Sequence, residues 1–284
     1  MLRKGIWALA IVLCFAVAAA AQAPEGYLDV YIVKVKPEKR EAFDALSQKF
    51  VQANRKGGDN WTALDVTYGE QNTVVFISTR ASYADIEKAS GAFMGALTRA
   101  YGEAGVQKLF ADFNNCITSA RGELRLRRWD LSSNVAADPS AVEKILGQTR
   151  SVRTILVRVR PGRALEYEAL AKRIKAAVEK TPGNPPVLVS QAVAGQQGTV
   201  YYFSWLVKSL GDLDGLKPLP QIMGEAEFEK FQKAVSEVVL TSETTIYSLA
   251  PKLSNVPDAV ANVAPDFWRP KAAAKPKAPA KPMQ

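Results

Sequence analysis

The chain repeats itself, and that constrains its fold more than any other feature. Val33-Lys34-Val35-Lys36-Pro37 returns as Val157-Arg158-Val159-Arg160-Pro161, 124 residues later. The apolar helical face Phe43, Leu46, Phe50 returns at the same offset as Tyr167, Leu170, Ile174. Gly69-Glu70-Gln71-Asn72-Thr73-Val74 aligns with Gly195-Gln196-Gln197-Gly198-Thr199-Val200 at an offset of 126. Gly102-Glu103-Ala104 aligns with Gly224-Glu225-Ala226 at 122, followed by Val106, Leu109, Phe113, Ile117 against Phe228, Phe231, Val235, Val239. Several matches in one order, drifting only as loop insertions would make them drift, mark a tandem duplication.

Each repeat reads β-α-β-β-α-β. In the first, Tyr27–Lys36 is β-branched and apolar, a strand by composition. Pro37 opens a helix, with Phe43, Leu46, Phe50 and Ala53 on one face. Trp61–Tyr68 and Thr73–Arg80 form a hairpin. Ser82 caps a helix through Tyr101, and a second helical piece runs from about Glu103 to Ile117. Glu123–Asp130 closes the unit. The second repeat has strands Val152–Arg160, Val187–Ala194, Thr199–Lys208 and Thr244–Leu249, with helices at about Arg163–Lys180 and Glu225–Val238. Lys217-Pro218-Leu219-Pro220 interrupts its last helical region, because prolines break helix interiors. The organisation is therefore repeat 1 at 22–131, a linker at 132–150 with a short helix started by Asp138-Pro139, repeat 2 at 151–254, and an Ala/Lys/Pro-rich tail at 255–284, expected to be disordered.

Residues 1–21 carry an export signal: Arg3 and Lys4, an apolar run from Ile6 to Ala18, and the small-residue site Ala19-Ala20-Ala21. The mature protein is expected in the periplasm or secreted. Only Cys116 remains after cleavage, so no internal disulfide forms and the core must hold the fold. Of the formal net charge of +9, Arg3 and Lys4 carry two and the stretch after Ala264 carries four, which leaves +3 for the folded part. That is too mild for a nucleic-acid domain. The tail's lysines could hold the protein to an anionic membrane surface or wall polymer; a solubilising tail is the alternative.

The order β-α-β-β-α-β is the ferredoxin-like motif. Two such units, each with helices on one sheet face, leave two bare apolar faces that can bury each other. The duplicated pattern resembles the dimeric α+β-barrel superfamily, similar to antibiotic-biosynthesis-monooxygenase-like and NIPSNAP-like domains. The resemblance implies an α+β fold: two tandem ferredoxin-like βαββαβ repeats packing sheet to sheet as an intrachain α+β barrel. The chain would then be a monomer by pseudo-dimer, or a higher oligomer. The superfamily's haem-degrading branch ligates haem through His.

The sequence contains no His. That removes Ser-His-Asp and Cys-His nucleophilic sites and His-ligated haem. No Cys/His/Asp cluster has metal-ligand spacing, and no phosphate-binding glycine loop occurs. No cofactor or metal is expected. The candidate ligand residues come from strand alternation. Tyr201, Phe203 and Trp205 share one face of their strand; Val200, Tyr202, Ser204 and Leu206 share the other. Arg125, Arg127 and Trp129 share a face, and Tyr247 is the second-repeat equivalent of Arg125. Aromatics beside arginines inside a barrel would suit a small apolar or anionic ligand. The alternative is that the aromatics fill the barrel solid. The repeats diverge here, with Val75, Ile77 and Thr79 aligned to Tyr201, Phe203 and Trp205, which favours one asymmetric site. Three functions follow as expectations: a non-catalytic binding module for such a ligand or an envelope partner; a cofactor-free monooxygenase-like or isomerase-like enzyme acting on an aromatic substrate; and a structural envelope or stress protein. The missing motifs argue against catalysis, although Tyr and Arg can do proton and charge work.

Overall fold

The computed structural model describes residues 26–135 and 138–270. Residues 1–21, read as an export signal, and the lysine-bearing stretch 271–284 lie outside the described residues. Eight strands form one closed antiparallel barrel. The first repeat supplies β1 (Tyr27–Val35), α1 (Arg40–Asn54), β2 (Thr62–Tyr68), β3 (Thr73–Arg80), α2 (Tyr83–Asn114) and β4 (Ile117–Arg127). After α3 (Pro139–Gln148) the second repeat supplies β5 (Ser151–Val159), α4 (Ala164–Glu179), β6 (Val187–Ala194), β7 (Thr199–Val207), α5 (Leu219–Met223), α6 (Glu225–Val238) and β8 (Val239–Leu249). Two short helices follow, α7 (Asp258–Ala261) and α8 (Pro265–Trp268).

Each repeat orders its strands alike, as β2-β3-β1-β4 and β6-β7-β5-β8. The two sheets join edge to edge, β4 to β6 and β2 to β8. Closure removes every exposed edge, which an open four-stranded sheet would leave unpaired.

Strand alternation then sorts the side chains. Val33, Val35 and Val74 point outward under α1 and α2, where they meet Phe43, Phe50, Leu97 and Phe113. Phe43 is fully buried, and such a ring contributes about 1.5–3 kcal/mol. The matching layer of repeat 2 packs Val157, Tyr201 and Val189 under Tyr167, Leu170 and Phe231. Ser82 caps α2 by accepting from the Asp85 N–H at 3.2 Å. Gly102, at φ 67°, breaks α2 internally where the sequence divides it; a side chain is strained at that backbone angle.

Three boundaries differ from expectation. The last helical turn of α2 ends at Asn114, and β4 starts six residues earlier than Glu123. Likewise β8 begins at Val239 rather than Thr244. The added segments, such as Thr118-Ser119-Ala120, are polar and exposed. They carry no hydrophobic strand signal and are strands because their backbones pair with β1 and β5.

Residues 255–270, expected from sequence to be part of a disordered tail, are packed. Trp268 is 2% exposed, and its indole N–H donates to the Gly147 carbonyl at 3.0 Å. Val260, Ala261 and Trp268 join Ile145 and Leu146 of α3 over Leu64, Leu206 and Leu249 at one barrel end. Linker helix and C-terminal segment together cap that end. The apolar Val256, Val260, Phe267 and Trp268 make the burial possible; the Ala/Lys/Pro character begins only after them.

Candidate functional site

The inward faces are Leu28, Val30 and Ile32 of β1, Leu64 and Val66 of β2, Thr73, Val75, Ile77 and Thr79 of β3, and Arg121, Glu123, Arg125 and Arg127 of β4. Repeat 2 contributes Thr154 and Leu156, Leu188 and Ser190, Tyr202, Ser204 and Leu206, and Glu243, Thr245, Tyr247 and Leu249. They do not fill the barrel: a cavity of about 250 Å³ runs between most of them. Its wall is mainly aliphatic, with Trp129, Tyr202 and Tyr247 as its aromatic members.

One side of the wall is ionic. Glu123 is buried, its side chain 0% exposed. Its carboxylate accepts from Arg125 Nε at 2.8 Å, the Tyr202 hydroxyl at 2.7 Å and Gln196 Nε2 at 2.7 Å. Arg121 adds an ion pair at 3.2 Å. The Arg125 guanidinium lies over the Tyr202 ring, 3.5 Å from its centroid. Burial alone would raise the Glu123 carboxyl, but the Arg125 charge and the bonds from Tyr202, Arg125 and Gln196 outweigh it and hold it below the usual carboxylate range. Burial, with the Glu123 charge, raises the Tyr202 phenol. The Tyr247 phenol is raised chiefly by burial.

Gln196 reaches Glu123 from the β6–β7 loop, which lies over the uncapped end. Gly195 permits this: it sits at φ 81°, and a Cβ there would run into the backbone of Gly122 and Glu123. Arg158 donates to the Gln196 side chain at 3.1 Å, so the loop is held from two strands.

Four of the seven sequence-selected residues line this cavity: Arg125, Arg127, Trp129 and Tyr247. Tyr201, Phe203 and Trp205 do not. They face outward into the helix layer. Tyr201 is 0% exposed, its ring tilted against that of Tyr167, and its hydroxyl donates to Glu168 at 2.6 Å. Phe203 also meets Tyr167, and Trp205 lies beside Arg153. The cause is a one-residue slip. Val33 pairs with Val74, and its repeat equivalent Val157 pairs with Tyr201. Tyr201 therefore occupies the place of Val74, not of Val75, and a slip of one reverses every face of a strand. Tyr202 and Glu123 were missed. The alternation Arg121, Glu123, Arg125, Arg127 was the available signal for Glu123, since residues two apart share a face.

The divergence between repeats is real at the corrected register. Across the internal pseudo-dyad Glu123 corresponds to Thr245, Arg125 to Tyr247, Arg127 to Leu249 and Tyr202 to Val75. Of the inward-facing charges, the buried pair Glu123 and Arg125 stands on one side.

This architecture is that of the dimeric α+β barrels, closed here within a single chain. No family model matches the sequence, and no curated protein does. Solved structures do. A candidate monooxygenase from Lactobacillus acidophilus NCFM is similar at a TM-score of 0.50 and 9% identity, over 82% of this chain and 97% of its own. An anthrone oxidase-like protein gives 0.50 at 14% identity, over 80% and 92%. A candidate monooxygenase from Fusobacterium nucleatum subsp. nucleatum ATCC 25586 gives 0.48 at 10%, over 79% and 92%. At these identities the likeness is one of fold. In the first two it spans both repeats, so the tandem arrangement is shared.

Proposed function

We propose that the protein is an exported binding module whose barrel holds one small, largely apolar molecule. The cavity carries this reading: a largely aliphatic space, capped at one end and furnished with placed polar groups, is how small-molecule sites are built. The single ionic wall supports one bound orientation rather than two. Export rests on the pattern of residues 1–21. Haem is not part of the reading, because the chain has no His and the buried hydroxyls of Tyr201 and Tyr202 are engaged by Glu168 and Glu123.

The test uses protein recovered from its host's envelope, with an N terminus expected at Gln22. The neutral probe N-phenyl-1-naphthylamine should brighten on binding. Leu156→Trp, which fills the cavity, should abolish that response while far-ultraviolet dichroism is kept. No brightening with the wild type would overturn the reading.

A second reading is a cofactor-free oxygenase acting on an aromatic substrate. It draws on what the similar structures are called and on Tyr202, Glu123 and Arg125 meeting in the wall. Oxygen uptake on adding anthrone to the same preparation would favour it over simple binding.

A further inference from the structure

The charges lining the cavity are not equally satisfied. Arg125 and Arg121 share Glu123. Glu70 pairs with Lys34 at 2.9 Å. Glu243 is exposed at the uncapped end. Arg127 differs from all of these. It is half-buried toward the capped end, and among the described residues its guanidinium has neither a carboxylate within ion-pair distance nor a hydrogen-bond acceptor. Its guanidinium lies over the Trp129 ring, 5.4 Å from the centroid. Burial pushes the guanidinium down to about 10.

The fold does not require a cation at this position. Its pseudo-dyad counterpart is Leu249, an apolar residue that completes the same place in the other repeat. An unpaired, half-buried charge costs stability that a leucine would not. Ser190 stands opposite Arg127 across the β4–β6 pairing and lines the same cavity. Arg127 also borders an outer recess, whose lining shares Thr62, Ile77, Thr79, Val142 and Leu146 with the cavity. Glu143 and Asp85 line that recess without pairing to Arg127.

We infer that Arg127 is the anion-binding end of the cavity, and that the ligand is an amphipathic monocarboxylate. Its apolar body lies along the aliphatic wall, and its carboxylate meets the guanidinium. One planar guanidinium matches one carboxylate in charge and in geometry. The inference deepens the binding reading and rests on it.

Displacement of N-phenyl-1-naphthylamine by octanoate and by 1-octanol separates the two. From the wild type, octanoate should displace the probe at a concentration at least about tenfold below that of octanol, as a charge-assisted hydrogen bond provides. Arg127→Met should erase that preference and leave octanol and probe affinities within about twofold. Its melting temperature should equal or exceed that of the wild type, so a folding defect is not the cause. Arg127→Lys should retain part of the preference. Equal displacement by both compounds, or equal loss of both in Arg127→Met, overturns the anion site and leaves the cavity reading standing. Failure of the probe to bind the wild type overturns both.

Discussion

Glu123 is the residue on which the interior depends. Burying a carboxylate is unfavourable unless charge and hydrogen bonds compensate, and here two arginines, a phenol and an amide converge on it. Glu123→Gln keeps the shape and removes the charge. It leaves Arg125 inside the barrel without its counter-charge, so a loss of about 3–5 kcal/mol is expected, measured by urea denaturation at neutral pH. The pH dependence has a definite sign. The folded carboxyl lies below its ordinary value of 4.5. Its contribution is therefore complete above that value and is lost as pH falls through the lower, folded one. Wild-type stability should drop steeply below about pH 4.5, and the Glu123→Gln profile should be flatter there. Parallel profiles would show that Glu123 is not held ionised by its neighbours. Arg125 was legible from strand alternation as a residue of the inner face, whereas Glu123, two residues before it on the same face, was passed over because a lone Glu between arginines reads as ordinary surface alternation.

At the scale of elements, helices and strands were largely readable and the register was not. Hydrophobic periodicity located α1, α4 and α6, and β-branched runs located β1, β5 and the two hairpins. The second hairpin was aligned through its matching glycines and threonines. The backbone aligned it through its partner strand, one residue away, which exchanged Tyr202 for Tyr201 on the inner face. Turn residues report where a hairpin bends, and only cross-strand pairing reports which face a side chain takes. The cap was misread for another reason: the composition of 255–284 averages the apolar stretch at 256–268, which packs, with the Ala/Lys/Pro sequence that follows it. Trp268 tests the corrected assignment. Trp268→Ala should cost about 3–5 kcal/mol, because it empties a buried site and removes the indole donor to the Gly147 carbonyl, which keeps only its bond from Arg150, as seen in a lowered thermal midpoint. It should also widen access at the capped end, read as faster probe dissociation. An unchanged midpoint would mean that α7 and α8 do not seal the barrel.

For the whole molecule, the two junctions β4–β6 and β2–β8 are, among the described residues, the only strand pairings that cross between repeats. Each repeat alone would expose two strand edges and the entire inner apolar face. Residues 26–131 expressed by themselves should therefore dimerise or aggregate, as sedimentation velocity would reveal. A well-behaved monomer would show that a single unit can bury its sheet without its sibling. The duplication, the unit order and the barrel were legible because they follow from repeated patterns and from the need to cover two bare faces. The cavity was not, since nothing in residue order states whether opposed side chains meet.

The mismatch of Glu123 with Thr245 and of Arg127 with Leu249 has an evolutionary corollary. A homodimer must accept every substitution in duplicate: a carboxylate placed on one wall is mirrored on the other, and two such groups would face each other across a narrow interior. Joining the copies in one chain dissolves that obligation. One half can drift towards polarity while the other conserves bulk, and the interior can become one-sided in a way that two identical copies could not.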